Sequence, residues 1–361
     1  MAGTRFRAGV VGTGWWVELE HLPGLQGRAD VEVTAICGRN SARLASIADK
    51  FGVPDRFADW REMIARGRLD LVVIVTPNFL HHPVAMAALD AGLHVICEKP
   101  LALDAGQARQ MAAAAEARQL KTLTFFTHRA LAAAAQIKQL VDEGFLGTPL
   151  HVNASYFTAS HLKPGKPASW RMRRVEAGTG VLGDIGSHLV DLVRWWLGDF
   201  SRVAAQWQVR TRERPGGAVD GDEDCSFLAQ LENGAQGVFQ ASKLVAGRSN
   251  FQRIELHGDG GSLVYEADPG FDADWLGRVW AGRPDGGLVP VTLPTDLTAG
   301  LEEREAGRVE AYRRLTEPFF AAIRGGGASS PDFRDGAEVQ AVLDAVAASA
   351  EQRRWMDVVR S

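Results

Sequence analysis

Phe6-Arg7-Ala8-Gly9-Val10-Val11-Gly12-Thr13-Gly14 is the stretch whose reading decides the fold. An apolar, strand-like run ends in closely spaced glycines, and helix-compatible sequence follows. Gly12 lets a backbone approach a pyrophosphate. Gly14 permits close packing where a helix begins, and the free N–H groups of that helix end attract phosphate. A Gly-x-Gly alone is weak evidence, because a structural tight turn uses the same residues. Its place inside repeated strand–helix units strengthens it. Val17 stands where the usual fingerprint has Gly or Ala, so slightly wider helix–strand spacing is expected. Trp15 and Trp16 flank the loop mouth, either walling a cofactor or substrate or packing as ordinary core.

The rest of the first third repeats this rhythm. Strands are expected over Phe6 to Val11, Val31 to Cys37, Leu71 to Thr76, His94 to Cys97 and Thr122 to Phe126. Helical patterns over Ser41 to Lys50 and His82 to Ala91 lie between them, and Asp104 caps a helix reaching about Arg118. This order predicts a doubly wound, mostly parallel Rossmann sheet that binds ligands beyond the carboxyl ends of its strands. After Phe126 the rhythm changes. Helices are expected over Leu131 to Glu143 and after Gly183. Strand-like runs follow over Ser226 to Leu231, Ala235 to Ser242, Arg253 to His257 and Ser262 to Tyr265. Asn233-Gly234 marks a hairpin. The segments Arg214 to Gly221 and Gly282 to Gly287 read as exposed loops, and helices near Arg308 to Ile323 and Gly336 to Arg353 close the chain. The expected architecture is α/β plus α+β. A Rossmann domain spans 1–125. A substrate-binding and oligomerisation domain spans 126–361, an open, largely antiparallel sheet with helices on one face. The closing helices are able to pack back on the first domain.

The chain has 361 residues, 46% of them hydrophobic, which is enough for two domains. Its formal charge of −4 is mixed along the sequence, with no cationic block suited to nucleic acid or a membrane surface. Cys37, Cys97 and Cys225 form neither a disulfide scaffold nor a zinc knuckle, and fit a reducing compartment. No stretch has the length of a membrane span, and Met1 to Arg7 lacks a secretory pattern, so a cytoplasmic location is expected.

The loops after the predicted strands carry the chemistry. Gly38 occupies the end of the second strand, where a carboxylate would bind the ribose 2′-hydroxyl of NAD. Glycine leaves room there, Arg39 can pair with a 2′-phosphate, and Ser41 adds a donor. NADP is therefore the expected cofactor. NAD stays possible if Arg39 stacks on adenine or faces solvent. Thr76-Pro77-Asn78 ends another strand, with Asn78 able to orient the cofactor and His81 and His82 following. Glu98-Lys99-Pro100 ends the next. An ammonium there can stabilise a developing alkoxide beside the nicotinamide, with Glu98 orienting it or holding the backbone. Further on, Asp184 and His188 lie four residues apart, which puts them on one face of a helix. An imidazole can accept a substrate proton near neutral pH. The plainer reading is a capping aspartate and a packed histidine. No third ligand nearby completes a zinc site.

Together, Gly12-Thr13-Gly14, Thr76-Pro77-Asn78 with His81, Glu98-Lys99-Pro100, Asp184-Ile185-Gly186-Ser187-His188 and Arg253-Ile254-Glu255-Leu256-His257-Gly258 make a pattern that resembles the Gfo/Idh/MocA oxidoreductases over nearly the whole chain. The resemblance implies that Lys99 works at substrate and nicotinamide, and that Asp184 and His188 face the substrate, with histidine as acid or base. It implies sugar, inositol or polyol substrates and a homodimer or homotetramer formed through the second sheet. Val17 and Gly38-Arg39 depart from the family's usual pattern. Arg129, Tyr156, Trp170 and Arg171 are expected substrate contacts, with His161 and Lys163 as further pocket residues. The plainer reading of Arg129 is an interdomain ion pair. Two other readings remain open: a redox-assisted glycosidase that retains its NAD, and a noncatalytic NADP sensor that binds a protein through its sheet.

Overall fold

The computed structural model describes residues 5–268 and 275–360. The chain divides into two compact units, one formed by Met1–Phe126 with Arg308–Ala337 and the other by Thr127–Gly307 with Glu338–Ser361.

The first unit is built on six parallel strands: β1 (Phe6–Val11), β2 (Val31–Cys37), β3 (Asp55–Phe57), β4 (Leu71–Ile74), β5 (His94–Cys97) and β6 (Thr122–Thr124), in the order β3-β2-β1-β4-β5-β6. Leu71 to Ile74 are all buried, as expected of a parallel strand covered on both faces. Helices α1 (Leu22–Gln26), α2 (Ser41–Phe51), α3 (Trp60–Arg66), α4 (His81–Asp90) and α5 (Ala105–Ala117) connect them. Asn40 caps α2 by accepting from Arg43 N at 2.9 Å, and Asp104 caps α5 by accepting from Gln107 N at 2.8 Å. Strand β3 escaped the sequence reading. Its Asp-Arg-Phe is polar and only three residues long, too short for a periodic signal. The strand order reverses between β1 and β4, which opens the binding crevice of a doubly wound sheet at their carboxyl ends. Phe319 and Phe320, from the closing part of the chain, are buried in this unit, with Phe6 5.6 Å from Phe320 between ring centroids.

In the second unit a nine-stranded sheet carries the fold, with helices α6 (Ala132–Asp142), α7 (Arg174–Ala177) and α8 (Ser187–Leu197). Its strands are β7 (Pro149–Phe157), β8 (Phe200–Gln208), β11 (Asp224–Leu231), β12 (Gln236–Ser242), β13 (Phe251–Gly258), β14 (Ser262–Ala267), β15 (Arg278–Gly282), β16 (Val289–Val291) and β17 (Met356–Asp357). All its pairings are antiparallel except β7 with β12. The expected loop at Arg214 to Gly221 contains a small ladder between β9 (Glu213–Arg214) and β10 (Gly217–Ala218). Gly234 takes the left-handed conformation (φ 90°) in the Asn233-Gly234 turn between β11 and β12.

The sheet's central strand, β7, was absent from the sequence expectation, as was β8. Strand β8 buries only Phe200 and Val203, three residues apart, and β7 opens on proline and points Asn153 and Ser155 away from the core, which dilutes the signal. The buried face carries Phe227 stacked on Phe239 at 4.6 Å, and Trp196 of α8 meets Tyr265 edge-on at 5.5 Å. Among the described residues, no helix is long and apolar enough to cross a membrane, and no group of three or more His, Cys, Asp or Glu is placed to hold a metal ion.

Candidate functional site

The cofactor-type residues assemble in the first unit. Gly12 has φ 135°, and a Cβ there would lie 2.2 Å from the Val75 carbonyl oxygen, so only glycine fits. A Cβ at Gly14 would meet nothing within 4 Å, so the close packing expected there falls at Gly12 instead, and the space over Gly14 is left open as a cradle for a phosphate. Val17 is fully buried, and the helix opens into one π-type turn over Val17–His21. A wider turn at the position where the fingerprint has a small residue absorbs the extra bulk.

A Cβ at Gly38 would lie 2.4 Å from Thr13 Cγ2, so a side chain there would require the Thr13 side chain to move. Arg39 and Ser41 are exposed. Arg43, one turn along α2, was missed. Its Nε donates to the Thr13 carbonyl, bringing a second cation to the rim of the loop.

Glu98 is the polar centre of this half. Its Oε1 accepts from Trp16 Nε1 at 2.7 Å and lies 2.9 Å from His21 Nε2, while its Oε2 accepts from Lys99 N at 3.1 Å. Burial pushes Glu98 up, but the hydrogen bond and charge of His21, with help from Lys99, hold it below its ordinary range. Trp16 therefore braces Glu98, while Trp15 stays 58% exposed. His81 is fully buried, with Nδ1 2.9 Å from the Pro100 carbonyl and Nε2 3.1 Å from the Thr76 carbonyl. Burial lowers its pKa, and its two ring nitrogens face the loops after β4 and β5. Asn78 is buried at the start of the following turn, after Thr76 and Pro77.

The substrate-type residues assemble in the second unit. Asp184 lies in a π-helical turn, Leu182–Gly186, that runs directly into α8, where His188 stands in the first turn. His188 is buried and stacks on His128 with ring centroids 3.7 Å apart. Tyr156 lies 6.2 Å from the same ring and donates its hydroxyl to Asn250. Burial, then the charge of Asp184, pushes the Tyr156 phenol well up, so it remains a donor. Asp184 faces two cations: Arg171 Nε at 3.5 Å from one oxygen, and Lys243 Nζ on the other. Arg171 also lies over the Trp170 ring at 4.3 Å.

Arg129, expected as a substrate contact, is 8% exposed and held bidentately by Asp191 of α8, with Nη2–Oδ1 at 2.6 Å and Nε–Oδ2 at 3.0 Å. His161 is likewise committed, 3.1 Å from Glu223, and is pushed down to about 4 by burial and by Lys243. Lys163 is exposed. Arg173 pairs with Glu176, and Arg174 with Glu351 at 2.7 Å.

Lys243, Asp222 and Glu223 were also missed. Asp222 accepts from Gly180 N at 2.5 Å and Leu182 N at 2.8 Å, fixing the turn that carries Asp184. Nothing local in the sequence marks these partners; only the long connection between α8 and β12 brings them there.

Residues 6–126 match the oxidoreductase family with an NAD-binding Rossmann fold, and residues 134–264 match the GFO/IDH/MocA C-terminal domain. The chain belongs to the Gfo/Idh/MocA oxidoreductase family. It is 34% identical over 355 residues to levoglucosan dehydrogenase of Pseudarthrobacter phenanthrenivorans, covering 90% of this chain and 88% of that protein. Solved structures of a levoglucosan dehydrogenase with NADH, and with NADH and levoglucosan, share the fold at TM-scores of 0.90 and 0.89. Each is 30% identical and covers 99% of this chain and 100% of that one. This Gfo/Idh/MocA member is an oxidoreductase with an NAD-binding Rossmann fold, and the family's sugar dehydrogenases are its relatives.

Proposed function

We propose that the enzyme interconverts a secondary hydroxyl and its ketone on a sugar, cyclitol or related polyol, with NADP preferred over NAD. The observation that carries this reading is the turn from Asp184 to His188. It sets a buried imidazole one turn from a carboxylate that faces two cations. Uncharged, hydroxyl-rich substrates suit such a site, because its carboxylate accepts a hydroxyl while its cations offset the charge.

The glycine loop, with the open cradle at Gly14, would hold the pyrophosphate, and Asn78 and Thr76 would orient the remainder of the dinucleotide. When bound, the nicotinamide supplies the hydride acceptor. Lys99 holds the reacting oxygen and offsets its developing negative charge. His188 takes the hydroxyl proton, and its stack on His128 fixes the ring plane. Asp184, Trp170 and Arg171 orient neighbouring hydroxyls, and Tyr156 supports the imidazole from the side. In ketone reduction His188 returns the proton.

The NADP preference rests on a glycine where an acidic residue would select NAD, together with exposed Arg39 and Ser41 and the nearby Arg43. The levoglucosan dehydrogenase structures contain NADH, so cofactor choice needs its own measurement. The outer face of the large sheet, where Leu228 is 48% exposed, is proposed as a homodimer or homotetramer interface. Three buried free thiols suit a reducing, cytoplasmic setting.

A panel of levoglucosan, aldopyranoses, inositols and alditols with each cofactor tests the reading. Turnover of at least one polyol is expected. NADPH should bind about tenfold tighter than NADH, and Arg39→Ala should abolish the difference. Equal binding in the parent enzyme would remove the NADP preference. Loss of less than about tenfold in single-turnover hydride transfer in both Lys99→Ala and His188→Ala would remove the catalytic assignments.

A further inference from the structure

We infer that Lys243 is a positioning residue of this reaction, holding the Asp184 carboxylate in the orientation that binds a substrate hydroxyl. The inference rests on the role proposed above for Asp184. Lys243 directly follows the last residue of β12. Its N–H donates to the Glu223 carbonyl at 3.1 Å, and its own carbonyl accepts from His161 N at 3.0 Å. The backbone is thus fixed on both sides, and the residue is 7% exposed. From that anchored position its ammonium bonds Asp184 Oδ2.

A buried ammonium is weak evidence of stabilisation, because taking it out of water opposes the gain from pairing. What separates this pair from a structural one is its place. Asp184 lies one turn before His188, in a π-type turn whose backbone Asp222 already holds through Gly180 and Leu182. The turn therefore has its own anchor, and Lys243 acts on the side chain instead. With Arg171 facing Oδ1 and Lys243 on Oδ2, the rotation of the carboxylate is fixed. The carboxylate is thereby presented in one orientation to a substrate hydroxyl. Fixed direction matters because misplacement of a substrate by an ångström weakens hydride transfer steeply.

The surroundings agree. Glu223, which receives the Lys243 N–H on its backbone, has its carboxylate occupied by His161, Arg214 and the N–H groups of Arg210 and Thr211. Asp184 is the carboxylate that the Lys243 ammonium bonds, with Asp222 close enough to feel its charge. Lys166 lies close enough for the charge of Lys243 to contribute to pushing it down to about 8, after burial itself.

The test uses the full-length enzyme with NADP, levoglucosan and the panel above. Lys243→Met should lower kcat/KM for the best panel substrate by about a hundredfold, with NADPH affinity unchanged. Lys243→Arg, which keeps a donor cation, should recover about tenfold of that loss. The deciding measurement is a cycle with Asp184→Asn: the double variant should lose no more than Asp184→Asn alone. Additive losses, or a Lys243→Met enzyme with normal kcat/KM, overturn the inference. If Lys243→Met does not fold, Lys243→Gln takes its place in the same cycle, where additive losses again overturn the inference and non-additive ones support it. Calorimetric titration of the same polyols into the NADPH complex gives a readout without turnover, in which both single variants should weaken binding non-additively. A wild-type enzyme that neither binds nor turns over any polyol would refute the functional reading itself and this inference with it. Activity with additive variants would refute the inference alone.

Discussion

Replacing Glu98 by glutamine changes one atom and removes the charge from the centre of the cofactor half-site. The carboxylate serves Trp16 and His21 with Oε1 and the Lys99 backbone with Oε2. A glutamine carbonyl can still serve the first two. Its amide group then faces the Lys99 N–H, donor against donor. Turning two charge-assisted bonds into neutral ones costs about 1 kcal/mol each, and the unmet Lys99 N–H adds about 1 kcal/mol more. Glu98→Gln should therefore destabilise the protein by about 3 kcal/mol in urea denaturation. Trp16→Phe, which removes a single donor, should cost about 1 kcal/mol. The pH dependence gives an independent check. Glu98 is held below its ordinary value of 4.5, so its stabilisation is fully present above that pH and is lost as pH falls below it. Glu98→Gln should lack this part of the acid transition. A variant within about 0.5 kcal/mol of wild type, with an unchanged acid limb, would refute the view that Glu98 anchors Lys99.

Two more predictions concern buried charge. Burial pushes Glu20 up to about 7 from 4.5, against the opposing pull of Arg308, so ionisation disfavours the folded state. Stability should fall by about 3 kcal/mol between those pH values, and Glu20→Gln should flatten the slope in urea titrations across pH 4 to 8. Arg129→Leu alone should destabilise by about 3 to 5 kcal/mol in urea denaturation, because the buried Asp191 carboxylate loses its guanidinium bonds. Arg129→Leu with Asp191→Leu should recover most of it.

The first unit was largely legible in the sequence because its signals are local. Gly12 and Gly14 follow directly on β1, Asp104 caps its own helix, and β4 is an unbroken apolar run. Its failure at β3 is one of length. The second unit was less legible because its order is non-local. Strand β7 pairs in parallel with β12, far along the chain, and no turn signal announces such a pair. Site residues divide in the same way. Lys99, Asp184 and His188 sit in short motifs. Lys243, Asp222 and Arg43 acquire meaning only from partners elsewhere in the chain. Arg129 is read from its place after a strand, and its bond to Asp191, far along the chain, is not visible there.

These differences share a physical cause. The residues proposed for chemistry lie on short turns and loop ends, which have little apolar surface of their own to hold them. In each case a buried carboxylate takes up backbone N–H groups or a side-chain donor nearby. Glu98 holds Lys99, Asp222 holds the turn before Asp184, Glu223 holds the 210–211 backbone, and Asp191 holds Arg129. Such pairs add little net stability, since desolvation opposes them. Their contribution is geometric, fixing each loop in one conformation where apolar packing would tolerate several. A sequence pattern selects residues by what they can do to a substrate. It therefore singles out Lys99 and His188, and it gives no sign of a pairing such as that of Arg129 with Asp191.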